Sequence, residues 1–191
     1  MNEAALELLL GRYSVGARNL AEPGPDDAQL ALMAQAALRA PDHGGLVPFR
    51  FSVIRGAGRL AFADLLQRAA ADAGKSAEAA QIDRERALRV PLTLAVIARI
   101  DLGHPLAPEH EQWAAVGGAI AYLLAAAQAL GFAGKMLSGA KVRAPRVVAA
   151  FCEPGETLLG WIDLGTPQRP PQAKHGKPDG AALLRTWPPG A

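Results

Sequence analysis

Several stretches of the sequence carry residue types at spacings that could do chemistry by themselves. Gly56-Ala57-Gly58-Arg59-Leu60-Ala61 fits the G-x-G-x-x-A spacing by which a glycine-rich turn lays a dinucleotide pyrophosphate on a helix N-terminus. That chemistry also needs a second parallel strand and an acidic residue about twenty positions on. The chain offers the alanine-rich stretch Ser76 to Ile82 there, so Gly56 to Ala61 reads as a plain strand-to-helix turn. Leu137-Ser138-Gly139 has the serine of a nucleophile elbow, but Met136 and Ala140 stand where that strained turn requires glycine. Gly134-Lys135 lacks the leading glycine of a phosphate-binding loop, Ala129 being in its place, and the trailing Ser or Thr. His110-Glu111 lacks the second histidine of a zinc-protease helix, and His43, His104 and His175 show no ligand spacing, so no metal is expected. Neither serine nor metal hydrolysis is the expected chemistry.

The elements that must position any remaining site follow from periodicity and punctuation. Leu6, Leu9 and Leu10 share one face of a helix that Asn2 can cap and that runs to about Arg12. Asp26 stands three residues before Gln29 in a capping-box arrangement; Leu30, Met33, Ala34, Ala37 and Leu38 then repeat at helical spacing until Pro41. Phe49, Phe51 and Val53 alternate with polar residues, which predicts a strand with one buried face, followed by a helix from Arg59 to about Ala73. A polar helix over Ala77 to Arg89 precedes PLTLAVIARI, Pro91 to Ile100, a short β-rich run suited to a buried strand.

A helix begins near Glu109, and from Val116 to Leu130 it is apolar on nearly every side, so it is expected to be buried all round. As a membrane span it is too short and too rich in glycine and alanine, with Gln128 interrupting it. Ala144 to Phe151 reads as a short helix and Thr157 to Leu164 as a last strand, before a tail crowded with Pro, Lys and Arg. Helices and strands alternate without βαβ regularity, which predicts one three-layer α+β domain with no internal repeat.

Composition narrows the function classes. The chain has 191 residues, 50% hydrophobic and 20% charged, enough for one well-packed core and too apolar for a disordered chain. Its net charge of +2 is scattered, with no concentrated basic face for nucleic acid, while a mildly basic surface suits an anionic small molecule. Cys152 is the only cysteine, so no intrachain disulfide or cysteine-ligated cluster is possible. The start, Met1-Asn2-Glu3-Ala4, lacks the pattern of a signal peptide, and a cytoplasmic protein is expected.

Taken together, Arg12-Tyr13-Ser14, Arg39-Ala40-Pro41-Asp42-His43, Pro48-Phe49, the Gly131 to Gly134 segment before Ser138-Gly139, and GWIDLGTPQ at Gly160 to Gln168 resemble the FMN-dependent nitroreductase family. The resemblance spans about Leu6 to Gln168 and points to the compact single-domain members. It implies a three-layer α/β/α fold with a mainly antiparallel sheet, a single domain over 1–191, and a homodimer holding FMN at the subunit interface. The proline-rich tail, 166–191, would then pack on the partner.

The same resemblance places Arg12, Tyr13 and Ser14 at the flavin phosphate and ribityl chain. A guanidinium that can offer two parallel hydrogen bonds and a neutral hydroxyl donor suit that task. Arg39 and His43 would reach the cofactor from the neighbouring segment. Met136, Leu137 and Ser138 fall where compact relatives carry Trp-Arg-Ser against the flavin; indole and guanidinium are both missing, and Lys135, Arg169 or Lys174 would have to substitute as the cation. Ala126, Ala127, Gln128, Ala129, Leu130 and Gly131 match a stretch assigned to NAD(P) in relatives. The implied reaction moves hydride from NADH or NADPH through FMN to a small-molecule oxidant, a nitroaromatic or quinone, by ping-pong kinetics. No side chain would serve as a nucleophile, and Arg39 or Arg18 would stabilise the anionic reduced flavin. A flavin-binding or flavin-handling homodimer without turnover is the alternative.

Overall fold

The computed structural model describes residues 3–170 and 177–187. Six helices and five strands follow in the order α1 (Glu3–Leu10), β1 (Leu20–Ala21), α2 (Asp27–Ala37), β2 (Phe49–Ile54), α3 (Ala57–Asp72), α4 (Ala77–Ala87), β3 (Leu92–Arg99), α5 (Glu109–Ala129), β4 (Ala133–Leu137), α6 (Pro145–Phe151) and β5 (Glu156–Pro167). Every strand pairing is antiparallel. β5 is the hub: β3 and then β2 lie on one side, while β4 and β1 share the other. The glycine-rich turn at Gly56 leads into α3 from a strand with no parallel neighbour, so the dinucleotide fingerprint has no βαβ unit around it.

Local chemistry accounts for much of this. Asp26 and Gln29 form the full capping box at the start of α2, with Asp26 Oδ1 accepting from the Gln29 N–H at 2.8 Å and Gln29 Oε1 from the Asp26 N–H at 2.9 Å. Ser76 caps α4 by accepting from the Ala79 N–H. Asn2, expected to cap α1, lies outside the described residues, as do Lys174 and His175.

β3 is buried on both faces, which explains its unbroken apolar run. Leu92, Leu94, Val96 and Ala98 meet Met33, Val116 and Leu123 of α2 and α5, whereas Ala95 and Ile97 face Phe62, Leu66 and Val147 of α3 and α6. Phe62, Phe151 and Trp161 interlock edge to face, with ring centroids 5.0–6.0 Å apart. The three layers are therefore α2/α5, the sheet, and α3/α4/α6.

Three expectations need correction. β2 does not bury one simple face: Phe49 is buried but Val53 is 50% exposed, while Ile54 beside it is buried on the opposite face, because β2 is the outermost strand and only the α3 side covers its far end. β5 runs on to Pro167, beyond Leu164, because β1 supplies a partner at Leu20↔Pro167 and Ala21↔Thr166. Within one subunit α5 is not buried all round. Val116, Ala119, Leu123 and Ala127 are covered, while Ala114, Gly117, Ala121 and Tyr122 are exposed, since the sheet and α2 cover only one side of the helix.

A covered ion pair spans the sheet from β2 to β5. Glu156, at the start of β5, has only 6% of its side chain exposed and accepts from Arg50 Nε of β2 at 2.7 Å, while Arg50 also donates to the Phe151 carbonyl and Ser52 Oγ. The Arg50 hydrogen bond, against the effect of burial, holds the Glu156 carboxyl down at about 2.

Candidate flavin-sized pocket

After α1 ends, residues 11–16 run along the outer edge of β4, where the Val15 N–H donates to the Gly134 carbonyl at 3.1 Å. Val15 is buried with Leu20, Val90 and Ala133, which fixes this segment on the sheet. Arg12 and Tyr13 line a narrow crevice with Leu124, Gln128, Phe132, Ala133 and Gly134, and Ser14 is exposed beside them. The chain then turns through Ala17–Asn19 into the rim of the principal cavity.

That cavity has a volume of about 700 Å³. Its floor is apolar, made by Phe62 and Leu66 of α3, Ala87 of α4, Leu137 of β4 and Trp161 of β5. Its polar lining is strongly cationic: Arg18, Lys75, Arg86, Arg89, Lys135 and Lys141, against two acids, Asp83 and Asp163. Lys75 and Lys141 are both committed to Asp83, at 2.8 and 2.7 Å, and join α4 to the turn after β4. Burial alone would raise the Asp83 carboxyl, but the hydrogen bonds from these two ammoniums outweigh it and hold it below the usual range. Arg18, Arg86 and Arg89 make no side-chain hydrogen bond or ion pair among the described residues. The pocket therefore offers a flat apolar surface beside uncommitted guanidiniums, a combination suited to a planar ligand carrying negative charge.

Strand parity decides which expected residues enter this pocket. Lys135 and Leu137 line it, and Ser138 follows at its edge, while Met136 points through the sheet and packs on the α5 side. Lys135 thus stands on the pocket wall two residues before Leu137; Arg169 is exposed beyond β5. Arg39 and His43 lie elsewhere in the chain. His43 Nδ1 donates to Glu111 Oε2 at 2.6 Å, on the first turn of α5, whereas Arg12 and Tyr13 meet Gln128 on its last turn. Those ends are about 25 Å apart at 1.5 Å per residue, so one subunit does not bring the two segments together.

Residues 126–131 form the end of α5 and the turn into β4. Ala126 and Leu130 pack against the core, Ala127 is 1% exposed, and Ala129 and Gly131 are open to solvent. The Gln128 amide donates to the Leu8 carbonyl at 2.8 Å and ties α1 to α5.

Asp163 was not anticipated from the sequence, although a lone acid inside the apolar run WIDL was a visible sign. It sits on β5 between its ladder partners Thr93 of β3 and Lys135 of β4, and Thr93 Oγ1 donates to its Oδ1 at 3.0 Å. Burial pushes its carboxyl up to about 6, against the lowering effects of the Thr93 hydroxyl and the Lys135 charge. Because the folded carboxyl binds its proton more tightly than the unfolded one, stability should fall as pH rises from about 4 to 6. Asp163→Asn is expected to gain about 3 kcal/mol at pH 8 and almost nothing at pH 4. Urea unfolding at the two pH values measures the difference; an equal effect at both would contradict the assignment.

Among the described residues no group of three or more His, Cys, Asp or Glu could hold a metal ion, and no helix is long and apolar enough to cross a membrane. A family model described as "Nitroreductase family" matches residues 9–166. The "Putative NAD(P)H nitroreductase YdjA" of Escherichia coli (strain K12) is 39% identical over 176 residues, covering 92% of this chain and 94% of that protein. A "Putative NAD(P)H nitroreductase" of Haemophilus influenzae is 33% identical over 163 residues, covering 85% and 88%. Among solved structures, a nitroreductase-like family protein from Bacillus cereus superposes with a TM-score of 0.82 at 19% identity over 95% of both chains. A Desulfovibrio desulfuricans structure, "a putative nitroreductase in complex with fmn", gives 0.71 at 20% identity, covering 98% of this chain and 99% of that one. Both structures share the three-layer antiparallel fold.

Proposed function

The chain belongs to the nitroreductase family, and from that premise we propose that it is an FMN-dependent oxidoreductase. It takes hydride from NADH or NADPH and passes it to a small-molecule oxidant such as a nitroaromatic or quinone. The observation that carries this reading is the cavity of about 700 Å³, with its apolar floor and its three uncommitted arginines, whose rim at Gly16–Asn19 follows the Arg12-Tyr13-Ser14 segment directly in the chain. The donor set fits the cofactor: aromatic and aliphatic side chains for a flat ring system, and guanidiniums and a hydroxyl for a phosphate and an electron-rich ring edge. Bound FMN supplies the atom that accepts and returns hydride.

The residues of this chain then bind, orient and screen. Arg12 and Ser14 hold the phosphate end. Phe62, Leu66, Leu137 and Trp161 give the ring a dry floor. Arg18 and Lys135, both on the cavity wall, favour negative charge there, and Lys135 takes over the cationic role for which position 137 has only leucine. Donor and oxidant use one opening in turn, so initial-rate plots should show parallel lines.

The reading includes a second copy of the chain. Ala114, Gly117 and Ala121 give α5 an exposed face on which another helix can approach closely, and a partner docked there would bring its own Arg39 and His43 toward the end of α5 where Arg12 lies. The tail, of which residues 177–187 are exposed and carry Leu183, Leu184 and Trp187, would cross onto that partner.

Two measurements test the proposal. The purified protein should be a yellow dimer in sedimentation and should bleach when NADPH is added without oxygen. A yellow protein that never bleaches would establish the flavin-binding alternative, and a monomer that takes up no FMN would refute both. Arg12→Ala should weaken FMN binding by about 10- to 100-fold, since a charge-assisted hydrogen bond contributes about 1.5 to 3 kcal/mol. Unchanged affinity in a fluorescence titration would remove Arg12 from the site.

A further inference from the structure

Of the two carboxyls that line the cavity, Asp163 is the one with no cation in direct contact among the described residues. Its residue is 9% exposed, and it shares one face of the sheet with Thr93 and Lys135, its partners on either side. The charged groups around it are Lys135 from β4, Arg18 from the turn before β1, Arg86 from α4 and Arg89 just after it, and Lys141 from the turn beyond β4; Lys75 and Asp83 complete the lining. Lys75 and Lys141 share Asp83 in their own cluster, which keeps one net positive charge.

Resting on the flavin reading above, we propose that Asp163 is the proton acceptor of this cavity: when the bound cofactor is reduced, the Asp163 carboxylate takes up one proton from solvent. The balance is simple. Hydride brings two electrons and one hydrogen from the nicotinamide donor, and leaves the pocket with one additional negative charge. A second proton, drawn from water, forms an O–H bond on Asp163 and cancels that charge. No bond breaks in the protein, and reoxidation releases the proton again.

The physical reason lies in where each charge is solvated. Arg18, Arg86 and Arg89 are exposed, so water screens their hold on an anion in the cavity. Asp163 is shielded, so a new anion on its side of the pocket is felt at a lower effective dielectric. Burial has already brought its proton affinity close to the neutral range, so a modest further push suffices. Lys135 opposes the change, and Thr93 Oγ1, which donates to the carboxylate, sets where it begins.

The test is a redox titration of the FMN-loaded protein against indicator dyes, followed by absorbance from pH 5 to pH 9. In the wild-type protein the midpoint should fall, above about pH 6, twice as steeply per pH unit as in Asp163→Asn, because two protons rather than one enter with two electrons. Thr93→Val removes the hydroxyl donor but not the acid, so it should keep the steep segment and start it at higher pH. A steep slope that persists in Asp163→Asn would place the proton on another group and overturn the proposal, as would a one-proton slope throughout in the wild type. If Asp163→Asn does not retain FMN, Thr93→Val decides: an unmoved onset overturns it. A protein that binds no FMN refutes the flavin reading as well, whereas a yellow protein with unaltered slopes refutes only the role of Asp163.

Discussion

Gly160→Ala is expected to lower stability by about 4 kcal/mol, beyond the usual range for overpacking because the obstacle is backbone. A β-carbon at Gly160 would lie 2.0 Å from the Leu137 carbonyl oxygen and 3.0 Å from its carbon, and the backbone there has φ of +157°. Gly160 sits where the β3–β5 register shifts between Val96 and Ile97, leaving Leu159 unopposed, and β4 ends against this bulge. The methyl group can be housed only by moving Leu137 outward, which also opens the cavity floor. Thermal unfolding should shift by roughly 10 °C for a chain of this size, and FMN uptake should fall with it. A variant that melts with the wild type and stays yellow would mean that the end of β4 is far softer than its packing implies.

Arg50→Ala should be almost as damaging, by about 3 kcal/mol at pH 7. The Glu156 side chain is nearly fully covered, and removal of its principal partner leaves the carboxylate with the Glu153 N–H at 2.8 Å and with Arg99, 3.5 Å away, as the remaining cation among the described residues. The sign of the pH dependence follows from the depressed carboxyl. Stability from this pair is present above the ordinary glutamate range near 4.5 and is lost as pH falls through about 2. Urea midpoints of wild type and variant should therefore differ at pH 7 and converge toward pH 2. A constant difference would assign the loss to packing of the Arg50 stem rather than to charge.

What the sequence disclosed, and what it hid, follows from the range of the forces involved. α2 was legible because Asp26, Gln29 and Pro41 are local signals, and β3 because burial on both faces writes itself as an unbroken apolar run. β1 and β4 were not: two residues and the glycine-bearing AGKML form strands only because β5 offers its free edge. The open face of α5 was hidden for a related reason, since alanine and glycine suit both an interior and a bare surface. The segment around Arg12 was found by its likeness to a family, and the structure seats it on β4. Arg18, Asp83, Lys135 and Asp163 gather from four separate segments, and no spacing along the chain announces them as neighbours.

The placement of β4 has one more consequence. Lys135 and Leu137 hang from a strand of five residues that is laddered only to β5 and touched on its outer side by a single amide from Val15. The hub strand and both hydrophobic layers lie behind it. Chemical preference can thus drift at position 135, on the cavity wall, while the buried core is spared, which gives descendants of this chain a route to new oxidants without first acquiring a sturdier scaffold.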